Sequence, residues 1–233
     1  MLSWVVDNPK PYLTYPYRLV SNIPMNTELT LMRTARNPDA TRDAVLHAAF
    51  CEIHRNGFQG AGIAQILSAA RLTKGALYHY FPTKKALGLA VIDEIIAPRI
   101  EALILSPLRN SQTPIHTLLE ITRTIGDQIG EDAILLGCPL NNLMQEMSPL
   151  DEVFRQHLDA ILSQWRDTLH TALRLSQSQG AIRQDVDCAT AALFILSAWE
   201  GCMGVSKTMQ SAAVFKNCLG ELHGYISHLM RQT

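Results

Sequence analysis

A short stretch in the first half of the chain combines a cation, two hydrogen-bonding aromatic residues and a capping hydroxyl. Residues 72–87 read LTKGALYHYFPTKKAL, and Thr73 can cap a helix that carries Lys74, Tyr78 and His79 on its exposed side. An ammonium, a phenol and an imidazole on one exposed helix face are suited to hydrogen bonds with phosphates and base edges. The stretch therefore predicts recognition of a nucleic acid.

Two nearby residues extend this prediction. Gly75 follows the first cation and has no side chain, so that a DNA backbone can approach the helix closely. Lys84 stands at the start of the next helix, where free N–H groups and the positive end of the helix dipole favour an anion.

Two other groupings have spacings that suit other chemistry. His47, Cys51 and His54 lie at i, i+4 and i+7 of one helix, which is metal-ligand spacing, although no fourth ligand is evident. Cys138 stands at a helix N-terminus, where the dipole lowers a thiol pKa and favours an oxidant- or electrophile-sensing role. The alternative interpretation of Cys138 is a small buried hydrophobic residue.

The elements that must position these residues are helices. The chain has 233 residues, of which 47% are hydrophobic and only 6% aromatic, a composition that favours helix over β-sandwich. Periodic apolar stripes, caps and glycine stops predict an all-α protein of about nine helices, with no strand pattern. No run of 18 apolar residues without charge occurs, so no membrane span is expected.

Two of the predicted helices are too short to be stable alone. Residues 63–70 and 73–80 each make about two turns and are separated by a tight break at Arg71-Leu72. Such a pair is typical of a helix-turn-helix packed on the preceding long helix, with the second helix in the major groove of DNA.

The run GFQGAGIAQILSAARLTKGALYHYFPTKKAL, residues 57–87, resembles the DNA-binding domain of the TetR family of bacterial one-component transcriptional regulators. The resemblance also covers the first helix, residues 42–58. It implies DNA contacts from Thr73, Lys74, Gly75, Leu77, Tyr78, His79 and Lys84, and a phosphate contact from Arg42. It also implies a small core formed or bordered by Val45, Ala49, Ile53, Phe58, Ile63, Ile66, Ala70, Leu72, Leu77 and Phe81.

The chain departs from the family pattern at three places. Ala61-Gly62 stands where the family commonly has Thr-Ser, which removes a capping and phosphate-binding hydroxyl. Gln65 replaces a frequent acidic residue. Arg71 replaces a common glycine in the turn, and must take a left-handed backbone at a cost of about 1 kcal/mol or adopt another turn.

Three regions are expected along the chain. Residues 1–37, interrupted by prolines, are interpreted as an extended or disordered arm, or as a segment ahead of a true start at Met25 or, preferably, Met32. Residues 38–83 form the DNA-binding domain, with the helix-turn-helix at about 62–81. Residues 84–233 form a helical domain for regulation and dimerisation.

The charge distribution agrees with this division. The net charge of the whole chain is −1, which argues against a nucleic-acid binder. Residues 33–85, however, carry eight basic and three acidic residues, a net of +5, and residues 86–233 carry ten basic and sixteen acidic residues, a net of −6. A basic segment joined to an acidic remainder is expected when only one end contacts phosphate.

A homodimer is expected because one short helix reads too few bases. The resemblance implies that the last two helices form its interface, which predicts the set Leu193, Leu196, Gly201, Gly204, Leu222, Tyr225, Ile226 and Leu229. The middle helices are expected to enclose a site for an unidentified small-molecule inducer, lined by Cys138, Asn141, Asn142, Met144, Gln145, Trp165 and Trp199. The alternative interpretation of the interface set is an ordinary intramolecular core. The alternative interpretation of the effector set is a helix start next to solvent.

The predicted function is a transcriptional repressor that binds a palindromic DNA operator as a homodimer and is released by the inducer. Alternatives are a thiol- or metal-responsive regulator and an activator. An enzyme is disfavoured, because no nucleophile–base pair, metalloprotease motif or phosphate loop is present in the sequence. No cofactor, no metal and no membrane partner are expected. Five widely spaced cysteines without a secretory signal predict a bacterial cytoplasmic protein with mostly free thiols.

Overall fold

The structure is a computed structural model that describes residues 38–231. The predictions of an N-terminal arm and of a start at Met32 lie outside the described residues. Across residues 38–231 the regular secondary structure is helical, apart from one isolated bridge between Ile182 and Met230. The all-α fold class is therefore confirmed.

The first three helices form a small N-terminal unit: α1 is Pro38–Gly60, α2 is Ile63–Ala70 and α3 is Lys74–Tyr80. An apolar stripe along α1 faces one buried residue from α2 and one from α3. The fully buried members of the predicted small core are Val45, Ala49, Ile53, Ile66, Leu77 and Phe81. The others, Phe58, Ile63, Ala70 and Leu72, are half-buried at its border.

The connections between these helices follow the departures noted in the sequence. Gly62 stands at the N-cap of α2 and supplies no side-chain hydrogen bond, as expected from the missing hydroxyl. Arg71 takes the left-handed conformation, with φ 54° and ψ 43°, so the costly backbone geometry predicted for this turn is present. Thr73 caps α3, its hydroxyl accepting from the backbone N–H of Ala76 at 3.3 Å.

Helix α4 spans residues 84–109 and joins the small unit to the rest of the protein. Its consecutive segments are Lys84–Val91, the π-helical Ile92–Ile96, Ala97–Ile100, the π-helical Glu101–Leu105, and Ser106–Arg109. Pro98 is a residue at which a helix can kink or break, but this helix continues through it, with a π-helical segment on either side. A proline removes one backbone donor, and locally wider turns are one way to accommodate this loss.

The remaining helices are α5 (Pro114–Ile129), α6 (Glu131–Leu136), α7 (Pro139–Met147), α8 (Glu152–Ser178), α9 (Cys188–Met209) and α10 (Ala212–Leu229). The nine predicted helices are all present, and the six-residue α6 is an additional one. Ser148-Pro149 offers a possible start for α8, but Asp151 is the cap, because its Oδ1 accepts from the amides of Val153 and Phe154 at 2.9 and 3.2 Å.

Close packing joins the small unit to the helical body. Gly88 of α4 lies so near the rings of Phe58 and Phe154 that a Cβ atom there would approach Phe58 to 2.5 Å. The two rings are themselves in contact, with centroids 4.6 Å apart. Lys85 and Asp151 form an ion pair with a distance of 2.7 Å beside this contact. Helices α1, α4 and α8 therefore meet at one well-packed point.

A disulfide connects the last two helices. Cys202 of α9 and Cys218 of α10 are bonded, with their Cα atoms 5.6 Å apart. Cys51, Cys138 and Cys188 are free thiols. The prediction of mostly free thiols is thus correct for three of the five cysteines and wrong for this pair, because the sequence does not show which residues of α9 and α10 face each other.

Helix α9 is the most apolar long helix among the described residues. By length and composition alone it could cross a membrane, but half of its apolar window is buried inside the protein. The core helix of a soluble protein has the same property, and a single such helix is weak evidence for a membrane span. Glu200 is its only charged residue between Cys188 and Ser206.

Candidate nucleic-acid interface and regulatory site

The outer face of α3 carries the polar residues predicted to contact DNA. Lys74, Tyr78 and His79 are exposed. The Lys74 ammonium lies 5.8 Å from the centroid of the Tyr78 ring, so the cation and the phenol lie close together on this face. Leu77, also predicted as a DNA contact, is fully buried. That prediction is wrong, because position 77 lies on the inner side of α3, against α1.

The start of α3 is open to an approaching ligand. A Cβ atom built on Gly75 would meet no atom within 4 Å, and Thr73 is exposed while its hydroxyl caps the helix. Free N–H groups and the positive dipole end at this terminus favour a phosphate.

Two further predicted DNA contacts already have partners within the chain. The guanidinium of Arg42 forms two hydrogen bonds to Glu94, at 2.6 and 2.7 Å, and lies 5.0 Å from the centroid of the Phe81 ring. This pairing holds the pKa of the Glu94 carboxyl below its usual value. Lys84 donates to the carbonyl of Gln59 at 3.1 Å. A phosphate contact from either cation would compete with these partners.

The sequence reasoning missed a residue with a strongly perturbed environment in the helical body, Glu200 on α9. The residue is 7% exposed, and among the described residues neither carboxylate oxygen has a hydrogen-bond partner. Burial raises its pKa to about 7. The thiol of Cys138, a weak donor beside the carboxylate, lowers the pKa of Glu200, but burial has the larger effect. A single acidic residue in an otherwise apolar segment is the signal that would have identified it.

The surroundings of Cys138 favour its thiol over the thiolate. Burial raises its pKa well above the usual value, and the neighbouring Glu200 raises it further. The prediction that the helix dipole lowers this pKa is therefore wrong: backbone N–H groups of Leu140 and Asn141 favour the thiolate, but desolvation outweighs them.

The other predicted effector residues occupy two locations. The buried rings of Trp165 and Trp199 pack edge-on with centroids 5.9 Å apart. On α7, the Asn141 amide donates to the backbone carbonyl of Glu200 at 3.1 Å, and the Asn142 amide donates to Leu136 at 2.9 Å. The remaining two predicted residues also lie on α7, half-buried Met144 and exposed Gln145.

A surface groove lies elsewhere, between α5 and α10. It has a volume of about 310 Å³ and is lined by Thr122, Arg123, Gly126, Asp127, Lys216, Leu219, Gly220 and His223. None of the predicted effector residues lines it.

The spacing of His47, Cys51 and His54 does not produce a metal site. His54 is buried, and its Nε2 donates to the Gly137 carbonyl at 2.7 Å, whereas His47 and Cys51 are exposed. Burial lowers the pKa of His54 to about 4. Within residues 38–231 no group of three potential ligands is close enough to hold a metal ion. The metal-responsive hypothesis is therefore wrong for these residues.

The predicted dimer residues divide into exposed and buried groups. Leu193 is 54% exposed, Gly201 is exposed, and Gly204 and Tyr225 are half-buried. Four others are wrong as interface residues, because they lie in the core of the chain itself: Leu196, Leu222, Ile226 and Leu229. Every fourth residue along the outer face of α9 is exposed. We term this set the α9 stripe: Leu193, Ser197, Gly201, Val205 and Met209.

Helix α7 is attached to the small N-terminal unit at both ends. Just before it begins, the Gly137 carbonyl accepts from His54 of α1. Near its end, the carboxylate of Glu146 accepts from the amides of Phe58 and Gln59 at 2.7 and 2.8 Å. These two amides follow Gly57, where α1 kinks with φ 76°. The kink places the amides where Glu146 can bind both.

Helices α1, α2 and α3 share a small apolar core, and α3 presents an exposed cation and open space at its start. This is the arrangement of a helix-turn-helix DNA-binding domain, and here it is joined to a larger helical body. Comparison with known proteins agrees with both parts. Residues 45–91 match the family model of bacterial regulatory proteins of the tetR family, and residues 114–219 match the model of the tetracyclin repressor-like C-terminal domain.

Individual relatives extend the similarity over most of the chain. The transcriptional regulator AcuR of Cereibacter sphaeroides is 31% identical over 70% of this chain and 76% of its own length. The repressor DhaR of a Mycobacterium species is 29% identical over 62% of this chain and 71% of its own. A crystal structure of a TetR regulatory protein from Rhodobacter sphaeroides, 26% identical, superposes with a TM-score of 0.72 over 82% of this chain and 99% of that one. The chain belongs to the TetR family and is a DNA-binding transcriptional regulator.

Proposed function

We propose that the protein is a cytoplasmic repressor that binds a palindromic operator as a homodimer and releases it when a small-molecule effector binds the helical body. The observation that carries the proposal is the exposed face of α3, where Lys74 and Tyr78 stand beside a glycine with open space around it. Relatives named as repressors, among them DhaR, support repression rather than activation.

The α9 stripe supports the dimer. Leu193, Val205 and Met209 are each at least half exposed, and Gly201 between them leaves room for a second helix to approach. Exposed apolar residues at intervals of four form the ridge that packs against the same ridge of a two-fold-related copy. Two copies in this arrangement present two α3 helices to successive half-sites on DNA.

The DNA-binding part is tested with DNA fragments that tile the regions flanking the gene of this protein. Fluorescence anisotropy should show nanomolar to micromolar binding to a fragment with a palindrome, weakening steeply with salt. Lys74→Ala and Tyr78→Ala should each weaken binding at least tenfold without lowering the melting temperature. Lys216→Ala, which removes an exposed cation from α10, is the matched control and should bind normally. Undiminished binding by both α3 variants would refute the proposed interface.

The dimer is tested by sedimentation. Val205→Arg places a charge in the centre of the α9 stripe and should yield monomers that bind the operator weakly. Val153 is another exposed valine, on α8, and Val153→Arg is the matched control that should remain dimeric. A dimeric Val205→Arg protein would place the interface elsewhere. A transcription assay with the same operator decides between repression and activation.

A further inference from the structure

Glu200 is a buried carboxylate without a strong partner, in a position where an apolar side chain would be the less costly choice. Its two oxygens have essentially no solvent-accessible surface, and among the described residues the donor found beside them is the weak thiol of Cys138. Buried carboxylates in folded proteins are generally paired or hydrogen-bonded, since an unpaired one costs several times the free energy of an ordinary hydrogen bond. A buried group of this kind is explained by strain, by a functional role, or by a donor from outside the chain such as a water, an ion or a ligand.

The surroundings indicate what kind of molecule would bring that donor. Trp199 precedes Glu200 on α9 and packs against Trp165, so the adjacent part of the core is apolar and aromatic. Cys138, the N-cap residue of α7, is its titratable neighbour and offers a weak donor and no positive charge. A protonated amine on an apolar body combines charge-assisted hydrogen bonds to both oxygens with burial of hydrophobic surface.

We propose that Glu200 is the recognition group of the effector site and that the effector is a small apolar molecule carrying a primary amine. This inference rests on the proposed function, because it names the chemical class of the effector invoked there. The ammonium donates to Oε1 and Oε2, and the apolar part packs toward the tryptophan pair. Because the oxygens are sealed, the amine reaches them only when α7 or α9 shifts.

The contacts of α7 explain how that shift reaches the DNA-binding unit. Asn141 ties α7 to the backbone of Glu200, and the carbonyl that precedes α7 holds His54 of α1. At the other end of α7, Glu146 holds the amides of Phe58 and Gln59, and the Gln59 carbonyl accepts from Lys84. A displacement of α7 by the amine therefore moves the end of α1 against which the helix-turn-helix packs.

The probes are propylamine, hexylamine, benzylamine and phenethylamine, each paired with the alcohol of the same shape. At least one amine should raise the melting temperature of the wild-type protein and weaken operator binding at least tenfold, while its alcohol does neither. Glu200→Gln and Glu200→Met should abolish both effects, and Glu221→Gln, at an exposed position on α10, should retain them. The inference is overturned if no amine acts, if the paired alcohols act equally, or if the Glu200 variants still respond.

A second variant tests the route through α7. Glu146→Ala should keep the rise in melting temperature caused by the amine but lose most of its effect on operator binding. An unchanged effect on operator binding would refute the role of α7. Operator binding without any amine tests the proposed function separately. If the wild-type protein binds DNA but does not respond to any amine, only this inference is refuted. If the protein binds no operator but is stabilised by an amine, only the proposed function is refuted.

Discussion

Replacing Glu200 by Gln should change the stability of the protein in a pH-dependent way that no exposed carboxylate can reproduce. Burial raises the pKa of Glu200 from 4.5 to about 7, so the folded state holds this proton more tightly than the unfolded state. The stability that the protonated form contributes is fully present below pH 4.5 and is lost as the pH rises through 7. Glutamine resembles the protonated acid at every pH.

The size of the effect follows from the shift. One pKa unit corresponds to about 1.4 kcal/mol, so ionising this carboxyl in place costs roughly 3 kcal/mol of unfolding free energy. The variant and the wild type should therefore be equally stable below pH 4.5, and the variant should be more stable by about 3 kcal/mol above pH 7. His54, whose lowered pKa gives stability that is lost as the pH falls from 6.5 through about 4, is present in both proteins and cancels in the difference.

The measurement is urea unfolding at fixed protein concentration between pH 4 and 8, because the stability of the proposed dimer would depend on concentration. Glu221→Gln serves as the control, and its difference from the wild type should stay near zero throughout. A difference for Glu200→Gln that is constant with pH, or that grows toward acid, would refute the assignment of Glu200 as a buried carboxylate without a strong partner.

Three further predictions concern other parts of the molecule. Gly75→Ala should leave the unfolding free energy unchanged or raise it by up to about 1 kcal/mol, because the new Cβ meets open space in a helix, yet it should weaken operator binding in anisotropy titrations. Equal DNA affinity would show that α3 does not approach DNA at this point. Cys218→Ser should lower the unfolding free energy in urea by about 2–4 kcal/mol without reductant and by much less with it, and an equal loss in both conditions would contradict a stabilising Cys202–Cys218 bond. Phe215→Ala, at a fully buried position, should cost about 3–5 kcal/mol in the same assay, and a loss below 1 kcal/mol would contradict its place in the core.

The DNA-binding unit was largely predictable because its signals are local. The signals lie within a few residues of one another: the break at Arg71, the cap at Thr73 and the cations that follow. The structure contains each of these features. Leu77 was the exception. Its side of α3 depends on how that helix packs on α1, and the sequence pattern of a seven-residue helix is too short to decide this.

The regulatory part was less predictable because its decisive contacts join residues distant in sequence. Glu200 and Cys138 are 62 positions apart, and they meet where Asn141 of α7 donates to the backbone carbonyl of Glu200. Four of the eight predicted interface residues were wrong for a related reason. Helix α9 is apolar on nearly every side, so its hydrophobic pattern alone cannot separate the face toward the core, with Leu196, from the exposed face with Leu193.

The two π-helical segments of α4 lie in the stretch of chain between the regions that the two family models match. The family models end at residue 91 and resume at residue 114, and both π segments, Ile92–Ile96 and Glu101–Leu105, fall between these limits. A π turn holds one residue more than an α turn, so a helix can gain or lose a residue there without being interrupted. An added residue can be absorbed when an α turn becomes a π turn, and a lost residue by the reverse change. The stretch between the two matched regions can therefore change in length by single residues while the helices on either side keep their orientation.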